Sequence, residues 1–442
     1  MPPVCLGLHE NRSQIALLLL IVVFVGAVVG VERSVLPLLA KSEFGLTSAT
    51  VTISFLVAFG FAKGGANFLA GELAGRIGPR RILLVAWAFG IPVPLLLMWA
   101  PSWGWIVFAN FLLGINQGLA WSTTQIMKID LVGPRWRGLA MGLNECVGYL
   151  AVAAAALGAG YLADLYGPRP APYMIALGAA LLGLAITLLS ARDTRHHAKL
   201  ENSIVESSSA IGALELPSGQ ASRIWRASWS YRSLFATNQA GLFTNLKEGV
   251  AWGLLPVFFA VQGLSLKQIA WLAALYPAVW GITQLGTGTL SDLVGRRPLI
   301  VGGLLVQALA LVGFASLNGF VPWAASAVVL GVGTAAVYPT LIAQVGDLVG
   351  PKTRASAIGL YRMWRDLGYA VGALFAGLLT DLLNFRSTIL IIAALLVSSG
   401  LIALVLLPAP RRSQRLAPLE AESQQALDFA SDQATVVTDE RR

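Results

Sequence analysis

The sequence predicts an all-α membrane protein with twelve transmembrane helices arranged as two pseudo-symmetric six-helix bundles. Three observations lead to this prediction: an apolar composition, twelve segments long enough to cross a bilayer, and a repeat of sequence features at an offset of 217 residues. Hydrophobic residues make up 56% of the 442 residues and charged residues only 12%. Because charged residues are normally about a quarter of a soluble chain, the composition excludes an ordinary soluble fold.

Each predicted span contains about 20 mostly apolar residues, a length that crosses about 30 Å of hydrocarbon at about 1.5 Å per residue. Backbone groups in lipid must bond within their own segment, so we expect helices, and the alternating pattern of barrel strands is not found in these segments. In chain order, spans 1 to 12 cover residues 14–38, 47–70, 83–100, 103–126, 138–163, 172–190, 235–259, 267–290, 298–316, 320–344, 355–380 and 386–407.

Landmarks of the first half of the chain return in the second half at a constant offset of 217 residues. Residues 71–81 (GELAGRIGPRR) recur as 288–298 (GTLSDLVGRRP), and the sequence DLVGP occurs at both 130–134 and 347–351. The chain is therefore predicted to contain two copies of one unit. The same offset relates Arg137 to Arg354, Gly142 to Gly359, Gly160 to Gly377, and Asp164 to Asp381.

This repeat divides the chain into four parts. We expect an N-terminal six-helix bundle at 1–190, a polar cytoplasmic linker at 191–234, a C-terminal six-helix bundle at 235–410 and a mobile cytoplasmic tail at 411–442. Near the end of the linker, residues 223–235 interleave aromatic and basic side chains. This pattern is typical of a short interfacial helix, and an unstructured basic linker is the alternative.

The net charge of +9 follows the positive-inside rule rather than a nucleic-acid-binding pattern. With the N-terminus in the cytoplasm, 22 of the 31 basic residues, Lys128 after span 4 among them, fall in cytoplasmic segments and four in outer loops. We therefore expect a multi-pass protein of the cell membrane with both termini cytoplasmic. Membrane lipids are its expected surroundings, nucleic acid is not an expected partner, and a monomer is the expected state.

The residues that normally form catalytic or metal sites are scarce in this sequence. Cys5 and Cys146 lie far apart, and the three histidines lie outside the spans without metal-ligand spacing. A catalytic triad and a phosphate-binding loop are both missing from the sequence. We therefore predict no cofactor, no metal and no enzymatic activity, and energy must come from an ion gradient or from the gradient of a solute.

Residues 71–81 and 288–298 resemble the loop signature of the major facilitator superfamily of secondary transporters, in which it follows the second and the eighth span. Two copies in corresponding places make the resemblance specific, and it covers essentially the whole membrane portion. The resemblance implies two bundles around a cavity that opens alternately to each side, with the substrate near the midplane. It also implies a small-molecule substrate, and protons are the expected coupling ion.

The loop signature supplies one set of candidate gate residues. Its glycines permit a tight turn, its basic cluster anchors the loop at an anionic membrane face, and its acid can pair with the other half. The second copy has this acid as Asp292, whereas the first copy has Gly75 in its place. A purely structural role in orienting the loops is the alternative. The candidates are Gly71, Arg80, Arg81, Gly288, Asp292, Arg296 and Arg297.

Ionisable residues inside spans are the candidates for transport chemistry, because burying such a group in hydrocarbon costs several kcal/mol. Span 1 carries Glu32 and Arg33, for which capping of the span near its outer end is the alternative. Span 7 carries Lys247 and Glu248 deeper in the helix. Spans 1 and 7 line the cavity in the family that the chain resembles, so Glu248 is our first choice for a proton carrier or substrate contact.

Span 5 carries a further acidic candidate, Glu145, next to Asn144. Glu145 is the counterpart of Arg362 at the 217-residue offset, so the repeat places opposite charges at equivalent positions. A desolvated carboxylate of this kind suits a carrier that gains and loses a proton. Gln284 of span 8 is its expected partner.

Spans 2 and 11 carry charges at similar depth, namely Lys63 and Arg362. Asp366 follows Arg362 at the i,i+4 spacing that places both on one helix face. We therefore expect a Lys63–Asp366–Arg362 cluster between the halves, acting as a gate or, alternatively, as a buried ion pair that only orders the halves. Arg365 and Tyr361 lie on a neighbouring stripe of span 11 that is expected to face the cavity.

The charge balance inside the spans favours an anionic substrate. Five basic groups stand against four acidic ones, and guanidinium groups suit carboxylate or phosphate. Span 5 also differs from drug/proton antiporters of this superfamily, because Ala159 rather than proline follows Gly158. The sequence therefore predicts a secondary transporter of a small organic solute, and proton symport into the cell and proton antiport out of it both stay open. A membrane sensor or a membrane-embedded enzyme on the same scaffold is the alternative.

Overall fold

A computed structural model describes residues 5–133, 137–198, 200, 226, 228–349 and 351–408. Its helices follow the twelve predicted spans, most of them extending a few residues beyond the predicted ends. The tail prediction at 411–442 lies outside the described residues, as do residues 223–225 and 227 of the predicted interfacial helix. Residues 228–230 of that segment are helical. We call the side on which span 6 ends and span 7 begins the linker face, and the opposite side the far face.

The spans of the first half are continuous helices except for spans 2 and 3, each of which has one interruption. In order, spans 1 to 6 are Arg12–Ser42, Ala49–Thr52 with Ser54–Ile77, Pro79–Gly90 with Pro92–Trp99, Trp103–Val132, Arg137–Tyr166 and Ala171–Ser190. Spans 7 to 12 are Arg232–Leu246 with Gly249–Leu254 and Leu255–Val261, Leu266–Val294, Arg296–Ser316, Phe320–Leu348, Pro351–Leu382 and Phe385–Leu406.

Eight of the described helices are long and apolar enough to cross a membrane. Spans 2, 4, 7 and 11 are not among the eight, and these spans carry most of the charged and amide side chains that are buried in the interior. The two halves meet along three pairs of spans, which are 1 with 7, 2 with 11 and 5 with 8. The predicted all-α fold of two six-helix bundles is confirmed.

The repeat is visible in the backbone of the loop signature. Gly78, between spans 2 and 3, has φ 90°, and Gly295, at the equivalent place between spans 8 and 9, has φ 99°. Left-handed backbone of this kind is accessible to glycine at little cost, whereas a Cβ would clash. Both loops therefore make the tight turn expected from the sequence.

Span 7 departs from the single helix that the sequence predicts. Its helix ends at Leu246 and continues as a π-helix over Gly249–Leu254, before Leu255–Val261 completes the span. Pro256 near the start of the last segment has no N–H to donate to the preceding turn. Gly249 also packs directly on span 11, where an added Cβ would lie 2.4 Å from the carbonyl carbon of Gly372. π-helical turns are frequent at functional sites, and this one follows Glu248 directly.

Candidate functional site

A cavity lies between the two halves. Spans 1, 2, 4, 5, 7, 10 and 11 contribute to its wall, so both halves build it. Four of the lining residues are charged, four carry amide or hydroxyl groups, and six are aromatic. They are Lys63, Glu145, Arg362 and Arg365; Asn67, Gln117, Ser122 and Gln125; and Phe59, Trp121, Tyr149, Trp252, Tyr338 and Tyr369.

Arg362 reaches from span 11 across the interface to span 4 of the other half. Its Nη1 donates to the hydroxyl of Ser122 at 3.1 Å, and its Nη2 donates to Oε1 of Gln125. Both acceptors are neutral. The positive charge of this guanidinium is therefore hydrogen-bonded there but not neutralised by those bonds.

Asp366 pairs with Arg365 rather than with Arg362, which corrects the predicted cluster. Nε and Nη2 of Arg365 donate to the two carboxylate oxygens at 2.8 and 3.0 Å. The amides of Asn67 and Asn245 also donate to Asp366. The i,i+4 spacing correctly placed Arg362 on the same helix face as Asp366. The guanidinium of Arg362 instead donates to side chains of span 4 in the other half. The adjacent Arg365 forms a bidentate pair with the carboxylate.

Lys63 lies against aromatic rings near this pair. Its Nζ is 5.4 Å from the ring centre of Phe59 and 5.0 Å from that of Tyr369. Asn67, one helical turn further along the same span, donates to Asp366. Lys63 therefore belongs to the predicted cluster by position, with ring faces in direct contact with its charge.

Glu145 is bound by neutral donors. Its Oε1 accepts hydrogen bonds from Nε1 of Trp121 at 2.8 Å, Nε2 of Gln125 at 2.5 Å and Nδ2 of Asn144 at 2.8 Å. The predicted partner Gln284 is wrong, since its Nε2 has no described hydrogen-bond partner. Span 4 packs against span 5 within the same half and supplies two of the three donors instead.

Gln125 connects the symmetry-related charges of the repeat. Its Nε2 donates to Glu145 and its Oε1 accepts from Arg362. Ser122 makes a second connection, because its hydroxyl accepts from Arg362 and donates to Oδ1 of Asn67 at 2.5 Å. A continuous hydrogen-bond network therefore runs from Glu145 through Arg362 to Asp366 and joins the two halves. Networks of this kind polarise their members and depend on every one of them.

Aromatic side chains line one side of the cavity and continue into the interior of the second half. Tyr149 of span 5 stacks on Trp280 of span 8 with ring centres 3.6 Å apart. Trp121 lies 5.5 Å from Tyr149, and Tyr276 lies 5.7 Å from Trp280. The row runs from Trp121 and Tyr149, which line the cavity, to Trp280 and Tyr276 in the other half.

Lys247 and Glu248 form a fully buried ion pair inside the second half. Nζ of Lys247 lies 2.5 Å from Oε1 of Glu248, and the hydroxyl of Tyr276 donates to the same oxygen at 2.6 Å. Neither member lines the cavity. Our first choice among the candidate acids is therefore held by a cation and a phenol behind the cavity wall.

Glu32 and Arg33 are 1% and 3% exposed within the protein, so they do not cap the span at a membrane surface. The guanidinium of Arg33 lies 5.0 Å from the ring centre of Phe59 and 5.3 Å from that of Trp252 in the other half. The carboxylate oxygens of Glu32 have no hydrogen-bond partner among the described atoms.

Three arginines of the loop signature, Arg80, Arg296 and Arg297, bind groups in their own half of the molecule. Arg80 donates to the backbone oxygen of Leu188, and Arg297 donates to that of Leu404. Arg296 pairs with Asp347 at 3.0 Å. Each of these contacts joins spans of one half, as the structural alternative expects, and a gate role for the loops stays a prediction.

The remaining loop candidates are less informative. Arg81 is exposed, and an added Cβ at Gly288 would meet nothing within 4 Å. Gly71 lies in the helix Ser54–Ile77, and the side chain of Asp292 lies outside the described residues.

Two sequence predictions about individual side chains need correction. Tyr361 does not line the cavity but packs against Gly241 of span 7, where an added Cβ would lie 2.7 Å from its ring. Lys128 is not a loop residue, because it is fully buried within the helix Trp103–Val132. A positive-inside count assigns such a residue by its distance along the chain and cannot detect that the helix extends past the predicted end.

Sequence reasoning also missed neutral side chains that complete the network. Asn67 bonds Asp366 from span 2, and Tyr276 bonds Glu248 from span 8. Asn67 follows Lys63 at the i,i+4 spacing, which is a weak signal that could have found it. Tyr276 carries no such signal, because a tyrosine in an apolar helix is ordinarily part of the packing.

A family model described as Major Facilitator Superfamily matches residues 18–246 and 240–431, which together cover both halves. The chain belongs to the Major Facilitator Superfamily. The resemblance inferred from the loop signature is thereby confirmed. Members of this superfamily are multi-pass membrane transporters rather than enzymes.

Known relatives match mainly over part of their length. Multidrug resistance protein MdtH of Aeromonas hydrophila is 32% identical over 184 residues, which are 39% of this chain and 46% of that protein. Citrate exporter 1 of Aspergillus niger is 27% identical over 173 residues, which are 39% of this chain and 33% of that protein. The chain thus spans less than half the length of these curated relatives. Human organic anion transporter MFSD10 shares the fold, with a TM-score of 0.62 at 17% identity over 89% of this chain and 99% of that chain.

The buried pair of Lys247 and Glu248 predicts a strong imbalance between single and double variants. Removal of one partner leaves an uncompensated buried charge, which costs about 3–5 kcal/mol. We expect Lys247→Met to lower the melting temperature and the monodisperse yield in detergent, and Lys247→Met/Glu248→Gln to recover most of both. Thermal unfolding with size-exclusion chromatography measures these quantities. Equal losses in the single and the double variant would show that the two charges are not coupled.

Proposed function

We propose that this chain is a secondary active transporter that carries a small organic anion across the cell membrane, together with a proton, by alternating access. The observation that carries the proposal is the charge of the cavity between the halves. Lys63, Arg362 and Arg365 line it, whereas Glu145 is the one acid among its described lining residues. In this superfamily the substrate lies between the two repeats.

Two of the three cations can bind an anion without breaking an ion pair. Arg365 is occupied by Asp366, whereas Arg362 is bonded to neutral groups and Lys63 lies over aromatic rings. A carboxylate can replace the neutral acceptors of Arg362 with two parallel, charge-assisted hydrogen bonds. Arg362 would then release Ser122 and Gln125 of the other half and bind the substrate. Substrate binding would in this way be linked to rearrangement of the interface.

The rest of the lining suits an organic body on this anion. Six aromatic side chains line the cavity, and two of them, Trp121 and Tyr149, pack together in its wall. The name of one relative, citrate exporter 1, agrees with a carboxylate cargo. The name of another, multidrug resistance protein MdtH, suggests drug efflux as the second candidate. The cationic lining of the cavity argues against positively charged drugs as substrates.

Glu145 is our candidate for the proton carrier. It faces the same cavity as the anion, and its three hydrogen-bond donors among the described residues are all neutral. Its negative charge repels an anion in the cavity, and protonation removes that repulsion. Proton and anion therefore bind best together, which favours symport. Glu248 is less suited to the role, because its proton would compete with the Lys247 ammonium.

The remaining features of the proposal concern placement in the membrane. We assign the linker face to the cytoplasm of the cell membrane, with both termini on that side, because the basic residues of the sequence concentrate there. The bundles at 1–190 and 235–410 would be the two rocking units, each bounded by lipid. The cavity is built by one chain alone, which accords with a functional monomer.

Substitution of Arg362 tests the anion site. Flux into proteoliposomes is first screened with carboxylates and the corresponding amides, and carboxylates are expected to be the substrates. Hydrogen bonds to a charged group are worth about 1.5–3 kcal/mol, so Arg362→Met should raise the KM about 10- to 100-fold. Arg362→Lys keeps the charge but loses the bidentate geometry, so its KM should lie between those of the native protein and Arg362→Met. Transport of the amides or of cationic drugs in preference to carboxylates would contradict the proposal.

Substitution of Glu145 tests the coupling separately. Glu145→Gln keeps the size of the side chain and mimics the protonated acid, so substrate exchange between the two sides should persist. Accumulation driven by an inwardly directed proton gradient should fall about tenfold or more, because no proton is carried with the anion. Measurement of exchange and of gradient-driven uptake in the same proteoliposomes gives both values. Undiminished gradient-driven uptake would remove Glu145 from the coupling role.

A further inference from the structure

We propose that Asp164 and Asp381, which occupy equivalent positions of the repeat, are two latches that hold the halves together at the far face and set how often that face opens. They end spans 5 and 11, and each bonds the start of a span in the other half. The sequence motif that contains them has no part in the cavity. The proposal concerns the balance between conformations and does not depend on which solute is carried.

The first latch joins span 11 to the start of span 2. The carboxylate of Asp381 accepts from the hydroxyl of Ser48 at 2.7 Å and from the backbone N–H groups of Ala49 and Thr50 at 2.6 and 3.0 Å. Amides in the first turn of a helix have no partner within the helix. The third residue of this helix is Val51, which cannot return a capping bond. Ser48 itself accepts from the N–H of Val51, and Asp381 of the other half supplies acceptors for the N–H groups of Ala49 and Thr50.

The second latch joins span 5 to the start of span 8 by an ion pair rather than by hydrogen bonds to backbone N–H groups. Ser265 is the repeat counterpart of Ser48, but Gln268 follows it, and the two form a complete capping box within their own half. This capping box satisfies the backbone N–H groups of Ser265 and Gln268 within the second half. Asp164 instead pairs with Nζ of Lys267 at 3.0 Å. Both acids thus cross the interface between the halves, one to hydrogen-bond donors and one to an ammonium.

Glycines allow the two halves to approach at each latch. Gly377 lies one turn before the first acid, and a Cβ there would be 2.6 Å from the Cα of Thr50. Gly160 lies at the equivalent place before the second acid, and a Cβ there would be 2.2 Å from the Cβ of Ala270. Real Cβ atoms do not tolerate such distances, so the closed far face requires glycine at both positions.

Alternating access requires both latches to break whenever the far face opens. Exposed ion pairs contribute little individually, so each latch shifts the balance between closed and open forms without locking either. Loss of a latch should therefore raise the ratio of open to closed molecules at the far face by a factor on the order of five. Loss of both should raise it further.

Pulsed electron paramagnetic resonance measures this ratio directly. In a Cys5→Ser/Cys146→Ala background, spin labels on Tyr166→Cys and Leu382→Cys report the distance between the far ends of spans 5 and 11, where both side chains are exposed. Asp381→Ala and Asp164→Asn should each enlarge the population at long distance. The exchange Asp164→Lys/Lys267→Asp should restore the native distribution, which shows that loss of folding is not the cause.

A matched control exists on the same face. Glu43 pairs with Arg169 entirely within the first half, so Glu43→Gln should leave the distance distribution unchanged. Native distributions in both latch variants would overturn the proposal. A shift in Glu43→Gln as large as in the latch variants would overturn it as well, because a loss of surface charge rather than of a cross-half bond would then be responsible.

Discussion

Charged side chains inside an apolar bundle must find partners within the protein, and the arrangement of this molecule follows from how that constraint is met. Asp366 is satisfied by Arg365, and Glu248 is satisfied by Lys247. Arg362 is held instead by neutral groups of the opposite half. The interface between the halves therefore holds a cation whose charge is still available, and a cavity lies beside it.

Duplication explains why this charge lies at the interface. Glu145 and Arg362 occupy the same position in the two copies, and both line the cavity between the halves. Gln125 then links the two with one amide group. The same relation operates at the far face, where the equivalent acids bind equivalent positions of different chemistry, Thr50 in one copy and Lys267 in the other. The repeat determines at which positions the two halves make contact, and the side chains at those positions determine the type of contact.

The spans, the two bundles and the tight loops could be predicted because each depends on local properties. A run of apolar residues forms a helix in lipid whatever its neighbours are, and Gly78 and Gly295 turn the chain by virtue of their own backbone freedom. Most of the buried charges, with the exception of Lys128, were likewise readable from the sequence. These features need no knowledge of which spans touch.

Partner choice could not be predicted, because it is decided by spans far apart in the sequence. The i,i+4 spacing favoured Arg362 for Asp366, but the acceptors on span 4 that attract Arg362 are invisible to a helical pattern. Glu145 was assigned to span 8 and is bonded from spans 4 and 5. Lys128 lay too near a predicted helix end to be recognised as buried. For Arg362 a tertiary contact overrode a correct local inference, whereas Lys128 was missed because its helix extends past the predicted end.

In the proposed mechanism an anion and a proton bind to one cavity, with Arg362 holding the first and Glu145 the second. The most direct measurement is calorimetric titration of a transported carboxylate in buffers of different ionisation enthalpy, which counts the protons exchanged on binding. We expect uptake of about one proton per anion bound, and none in Glu145→Gln. Binding of the anion with no proton uptake, or with proton release, would contradict this mechanism.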